Sequence, residues 1–327
     1  MDTAQGIFYV LGLPVTAYAL CLVAALCAAL ALLTVQCRRL SLRSGTALTM
    51  ALWMLPLGLV GARLFYCLAR LSFFMEVGPH SMLKMWNGGY ALWGALGGAV
   101  LGAVIAARQT HQRPARLLDA LAASGALTIA LCRLAEYFSG EGIGMYVEDE
   151  RFCFFPLAVC NQYEEWYWAI FLLEALVALV ILGVLLRRTR PEGDTARLFL
   201  ILYSASQVLL ESMRRDNFLR WLFVRVSQLT AALVMAGLML YALIQLARSG
   251  RLHGAALRST IASWAVFLVC TGVTIALEFA IDKSADLPIW AAYCLMALCC
   301  AGLGVSCYQA VLGRRYRHED AVAGSAH

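Results

Sequence analysis

Arg133 and Glu136 stand three residues apart, and Gln207, Glu211 and Arg214 stand at i, i+4 and i+7. On a helix each set shares one face. A guanidinium neutralises a phosphate through several N–H donors, and a carboxylate beside it orients the cation or moves a proton. Two readings fit this spacing. One is a lattice of ion pairs that locks a helix bundle. The other is an outward-opening polar site, lined by cations for a phosphate and by carboxylates that orient them or carry protons. Arg63, Asp119 and Glu174 are further ionisable side chains in or near apolar runs. One charge at the centre of a bilayer costs about 2.5–3.5 kcal/mol, so such groups must pair, face a cavity or lie near an interface.

The elements that must position these groups are membrane helices. The 327-residue chain is 62% hydrophobic and only 14% charged, and its mean hydropathy is +0.74. A soluble domain is nearer half apolar and a quarter charged. Runs of about 20 residues with hardly a charge are long enough to cross the hydrocarbon layer. A lipid-facing barrel would need period-two alternation, which the sequence lacks. The expected fold is therefore all-α, a polytopic helical bundle. Its nine spans fall near 15–36, 46–69, 88–107, 117–138, 166–186, 197–213, 228–247, 260–281 and 288–312.

Charge in the loops sets the expected orientation. "CRRLSLR", "ARQTHQRPAR", "RRTRPEGDTAR", "ARSGRLHGAALR" and "GRRYRH" are basic and belong in the cytoplasm. The acidic stretch from "EGIGMYVEDERF" to "NQYEEWY", and "DKSAD", fall on the other side. The N-terminus is then outside and the C-terminus inside. "RRDNFLRWLFVR" falls outside with four Arg. It reads either as an anionic-headgroup binder or as an interfacial turn whose arginines snorkel to phosphates. "MDTAQGIFYV" starts acidic and has no basic n-region, so no cleaved signal peptide is expected. The net charge of +6 sits in topology-setting loops and does not indicate nucleic acid.

Most of the 12 cysteines lie in apolar runs and read as small apolar side chains, with no zinc spacing among them. Cys153 and Cys160, in the polar loop "CFFPLAVC", could pair if that loop faces an oxidising space. "WNGGYALWGALGGAVLGAV" is glycine-rich. Close helix packing is the usual reason, and "WNGG" could also mark a helix break facing a site.

"GARLFYCLARLSFF", "KMWNGGYALWGALGG", "CRLAEYFSGEGIG", "YSASQVLLESMRRDN" and "SQLTAALVMAGL" occur in this order. In order and spacing they resemble the bacterial prolipoprotein diacylglyceryl transferases, from about residue 12 to 248. The resemblance implies a multi-pass inner-membrane enzyme. It would move the diacylglyceryl group of phosphatidylglycerol onto a lipobox cysteine thiol, forming a thioether and releasing glycerol phosphate. It implies partners of two kinds, an anionic phospholipid and a prolipoprotein signal peptide, and no cofactor or metal. Residues 1–250 would form the transferase-like domain of seven spans, and 251–327 would add two helices and a tail. Carried over position by position, the resemblance places Arg133, Glu141 and Glu211 among the catalytic groups, with Glu136 in a catalytic position. It places Tyr18, Arg63, Tyr203, Gln207, Arg214 and Gln228 among those that bind substrate.

The chain departs from the family pattern at several points. The family's His-Gly-Gly is Trp93-Gly94-Ala95 here. The signature asparagine is Glu136, and a second arginine is Gln207. The His-Pro-Ser-Gln stretch has no clear counterpart in "NQYEEWYW". A thiol with pKa near 8.5 needs a base or a positive field to become a nucleophile, and tryptophan accepts no proton. Glu136 could replace the base, with Arg214 or Arg215 replacing the cation. Alternatively the chain is a paralogue that keeps the fold and lipid groove but has lost or changed the reaction.

Overall fold

The computed structural model describes residues 7–10, 13–85, 88–187, 190–215, 219–221, 224–248, 255–282 and 288–313. The described residues are predominantly helical: α1 (Ala17–Arg39), α2 (Thr46–Ala69), α3 (Leu71–Val77), α4 (Leu92–Gln109), α5 (Pro114–Ser139), α6 (Ile170–Leu186), α7 (Asp194–Met213), α8 (Val226–Arg248), α9 (Ala255–Asp282) and α10 (Ile289–Val311). All but the short α3 overlap the expected hydrophobic runs, with differences at their ends. Seven of them (α1, α2, α4, α5, α8, α9 and α10) are long and apolar enough to cross a membrane. The apolar α6 is shorter at 17 residues, and α7 carries Asp194, Arg197 and Glu211. Exposed side chains such as Leu52, Leu64, Leu233 and Leu298 lie along these helices, as expected where the solvent is lipid.

Three small antiparallel hairpins interrupt the helices and were not anticipated: β1 (Ile7–Val10) with β2 (Leu13–Thr16), β3 (Ala158–Cys160) with β4 (Trp166–Trp168), and β5 (Arg220–Trp221) with β6 (Val224–Arg225). Two of them and one left-handed glycine turn correct expected span starts. Residues 15–16 belong to β2, and Thr16 Oγ1 caps α1 by accepting from Ala19 N. Residues 166–168 pair with β3, and the helix begins at Ile170. Gly88 and Gly89 are left-handed, with φ of 72° and 79°, so α4 starts at Leu92 rather than 88. Trp86 and Asn87 of "WNGG", and residues 283–287 of "DKSAD", lie outside the described residues.

The chain forms two compact units, residues 1–199 with 213–227 and residues 200–212 with 228–327. In the first, α2 packs closely on α4. A Cβ on Gly98 would strike the Leu57 carbonyl and stand 2.9 Å from the Gly58 Cα. Packing is thus what the glycine stripe does. Leu33, Met50, Ala103, Leu117 and Ala120 form a buried cluster of α1, α2, α4 and α5.

Asp119 is a buried carboxylate explained by backbone chemistry. It is 5% exposed on α5. Its Oδ2 accepts from Gly193 N at 2.7 Å and its Oδ1 from Ala196 N at 2.9 Å. The first turn of α7 has Gly193 at its cap and no capping side chain of its own, so Asp119 satisfies those orphan N–H groups and the helix dipole from a neighbouring helix.

In the second unit α9 packs on α10, and α10 reaches α8 through Cys307 Sγ, 3.7 Å from Met235 O. Met235, Met239 and Met296 are fully buried there. Cys153 and Cys160 are both free thiols. Their sulfurs lie against the carbonyls of Asp149 and Asn161, so the pairing considered for this loop is not formed.

Candidate functional site

Four ionisable side chains converge in the first unit. Arg133 and Glu136 lie in the last two turns of α5, Glu174 lies in the second turn of α6, and Arg214 follows the last residue of α7. Only Arg214 stands at a helix C-terminus, where the dipole favours a cation; Arg133, Glu136 and Glu174 lie further inside their helices. Arg133 Nη1 bonds Glu136 Oε1. Arg133 Nε lies 2.7 Å from Glu174 Oε2. Arg214 Nη1 lies 3.4 Å from the same oxygen, and its Nη2 lies 3.7 Å from Glu136 Oε2. The result is a closed ring of two guanidiniums and two carboxylates, formally neutral. All four side chains are nearly buried, at 12%, 11%, 1% and 8% exposure for Arg133, Glu136, Glu174 and Arg214. Neutrality is what makes four charges tolerable in so apolar a setting.

The surrounding backbone holds this ring. Gly140 caps α5 in the left-handed region, its N–H donating to Glu136 O at 2.9 Å. Gly142, with φ of 74°, brings the chain so near that a Cβ would stand 2.5 Å from Glu136 Oε2 and 2.6 Å from Phe171 Cβ. Gly142 O accepts from Phe171 N at 2.8 Å, and Ile143 O accepts from Arg215 N at 2.9 Å. Arg225, 5% exposed on β6, donates through Nη1 to Arg214 O at 2.9 Å. Two of the four arginines in "RRDNFLRWLFVR" therefore build or brace the ring. Residues 216–218 and 222–223 of that segment lie outside the described residues.

Other expected site residues take distinct places. Tyr18, half-buried on α1, stands within electrostatic reach of Glu141, Glu136 and Arg133, and Glu141 itself is exposed. Arg63 is not in the ring. It is 6% exposed, and its guanidinium donates to the carbonyls of Ser81, Met82, Lys84, Gly88 and Gly89, with Phe74 and Tyr66 stacked near it. It ties residues 81–84 to Gly88 and Gly89. Trp93 is buried near the start of α4.

Tyr203, Gln207 and Glu211 lie in the second unit, all buried on α7. Gln228, also there, donates through Nε2 to Val208 O at 3.2 Å and to Glu278 Oε2 at 3.4 Å. The same Glu278 oxygen accepts from Ser212 Oγ at 2.6 Å. Neither Glu174 nor Glu278 was assigned to a site from sequence. Each carried a signal, a lone carboxylate inside an otherwise apolar helical run, which in a membrane protein calls for a named partner.

Comparison with known proteins agrees with the ordered motifs. A family model described as prolipoprotein diacylglyceryl transferase matches residues 5–244. A phosphatidylglycerol–prolipoprotein diacylglyceryl transferase of Frankia alni is 30% identical over 247 residues, covering 72% of this chain and 64% of the relative. One from Mycobacteroides abscessus is 28% identical over 278 residues, covering 78% and 80%. The Streptomyces coelicolor protein named phosphatidylglycerol–prolipoprotein diacylglyceryl transferase 1 is 27% identical over 244 residues, covering 73% and 71%. The chain thus spans somewhat under two thirds of the Frankia alni relative and more of the other two. On the family match, the ordered motifs and the all-helical architecture, this chain belongs to the prolipoprotein diacylglyceryl transferase family.

Proposed function

We propose that this chain transfers the diacylglyceryl group of phosphatidylglycerol to the cysteine thiol of a prolipoprotein. The observation that carries this reading is the convergence of Arg133 and Arg214 on one buried locus, in a chain of this family that has Gln207 where a second arginine stands. In the reaction a sulfur–carbon bond forms, a carbon–oxygen bond to phosphate breaks, and glycerol phosphate leaves with added negative charge. Two guanidiniums are suited to that charge, because they are already desolvated and oriented.

The same ring supplies a proton acceptor. A phosphate entering between Arg133 and Arg214 competes with Glu136 and Glu174 for the same N–H donors. A carboxylate released from its arginine becomes the stronger base. Both carboxylates contact Arg133, and Glu136, at 11% exposure against 1% for Glu174, is the more accessible of the two. It takes the thiol proton that a histidine would take in place of Trp93. By the family resemblance Tyr18 binds substrate and Glu141 is catalytic in the first unit. In the second unit Tyr203, Gln207 and Gln228 bind substrate and Glu211 is catalytic. Arg63 acts through the carbonyls of Ser81, Met82, Lys84, Gly88 and Gly89.

The site faces the outer side of the cytoplasmic membrane, with nine spans, the N-terminus outside and the C-terminus inside. Loop charge supports this. Residues 1–250 carry the reacting groups and 251–327 add two helices. The partners are phosphatidylglycerol and a prolipoprotein signal peptide. The test is to express the chain in cells depleted of their own transferase and to follow a model prolipoprotein by mass. Gain of the diacylglyceryl mass, lost in Glu136→Gln, is expected. No gain from inserted, folded protein would reject the reaction and leave a lipid-binding relative.

A further inference from the structure

Helices α9 and α10 follow the family match, which ends at residue 244, yet they reach a residue carried over from it. Glu278 on α9 lies one turn beyond the buried Thr274. Its Oε2 accepts hydrogen bonds from Ser212 Oγ at 2.6 Å and from Gln228 Nε2 at 3.4 Å. From α10, Tyr293 OH donates to Ser212 O at 3.2 Å. Gln228 gives its other donation to Val208 O at 3.2 Å. A glutamine side chain has two N–H donors and one carbonyl acceptor. Both donations of Gln228 are committed, and among the described residues none donates to its Oε1. What Gln228 can still offer is an acceptor.

We propose that Glu278 is a positioning residue. It turns Gln228 so that Oε1 accepts a hydroxyl of the donor lipid's headgroup, and the two helices beyond the family match thereby help to select a polyol headgroup. An acceptor suits hydroxyl groups and repels phosphate oxygens, so Gln228 reads the glycerol and not the phosphate. This rests on the transferase reading for Gln228's place at the headgroup.

The test uses the purified full chain in detergent and compares binding of phosphatidylglycerol with binding of phosphatidic acid of the same acyl chains, by native mass spectrometry. Wild type is expected to prefer phosphatidylglycerol. Glu278→Ala and Gln228→Ala should each cut that preference about tenfold, the scale of one well-made hydrogen bond. The double variant should be no worse than either single one, because both remove one interaction. Glu278→Gln should restore the preference, since its amide oxygen still accepts. If Glu278→Ala does not fold, Glu278→Asp carries the test. Its shorter arm withdraws from Gln228 and keeps the charge, and the preference should fall. Preference unchanged in Glu278→Asp, or single effects that multiply in the double variant, would overturn the proposal. Lipidation is read separately. No transfer by wild type with the preference intact removes the reaction and keeps this role for Glu278. Normal transfer with the preference unaffected removes the role and keeps the reaction.

Discussion

Glu174 Oε2 lies 2.7 Å from Arg133 Nε, and the carboxylate is 1% exposed. That contact joins α6 to α5 through two charges that neither helix could bury alone. Its removal is informative. Glu174→Ala leaves two guanidiniums facing one carboxylate, and should cost about 3–5 kcal/mol, as breaking a buried ion pair does. Thermal unfolding in detergent measures it. Replacing Glu174 and Arg214 together by leucine should recover most of that loss, because an apolar pair of similar size often matches a buried ion pair. Equal losses for the single and double variants would show that the ring's charges do not balance one another.

Gly142 brings the backbone close against Glu136 of the ring. Gly142→Ala adds a Cβ 2.5 Å from Glu136 Oε2 at a φ of 74°. Strain of this kind costs about 1–3 kcal/mol, and the displaced carboxylate should lower lipidation by more than the stability loss explains. Gly140→Asn, at a helix cap where asparagine tolerates the left-handed region, should be milder. Parallel mass and melting measurements on the two variants decide it.

Asp119 acts as a cap supplied from another helix. Asp119→Ala should cost about 1–2 kcal/mol, the worth of a good N-cap. The effect should be local. Amide hydrogen exchange should rise at Gly193 and Ala196, whose N–H groups it accepts, and change little in α2 or α4. Uniform protection across all helices in the variant would count against the cap.

Glu192 gives a pH-dependent test outside the spans. Hydrogen bonds from Arg116 and Arg113 hold its carboxyl below the usual range. The folded value is depressed, so the contribution is complete above the ordinary carboxylate pKa and is lost as pH falls through the lowered folded value. Melts of wild type and Glu192→Gln should differ most near neutrality and converge below about pH 4, near the ordinary range for carboxylates. A gap that widens in acid would reverse the sign.

Much of the fold was legible because apolar helices announce themselves over 20 residues. The errors fall at the ends of spans. Thr16, Gly88 and Trp166 sit in apolar stretches, but their backbone is committed to hairpins or left-handed turns. Hydropathy averages over a window and does not register such local commitments. Arg133 and Glu136 were legible as a pair because helical spacing fixes that they share a face.

The sequence by itself determined the membrane class, the helices, the family and the pairing of Arg133 with Glu136. All of these follow from local composition, periodicity and ordered motifs. Only the tertiary structure decided that Glu174 and Arg214 complete the ring, that Asp119 caps α7, that Arg63 holds the carbonyls of Ser81, Met82, Lys84, Gly88 and Gly89, and that Glu278 meets Gln228. Each of these joins residues at least 18 positions apart. A buried charge specifies that it needs a partner but not which one. The partner is chosen by how the helices pack.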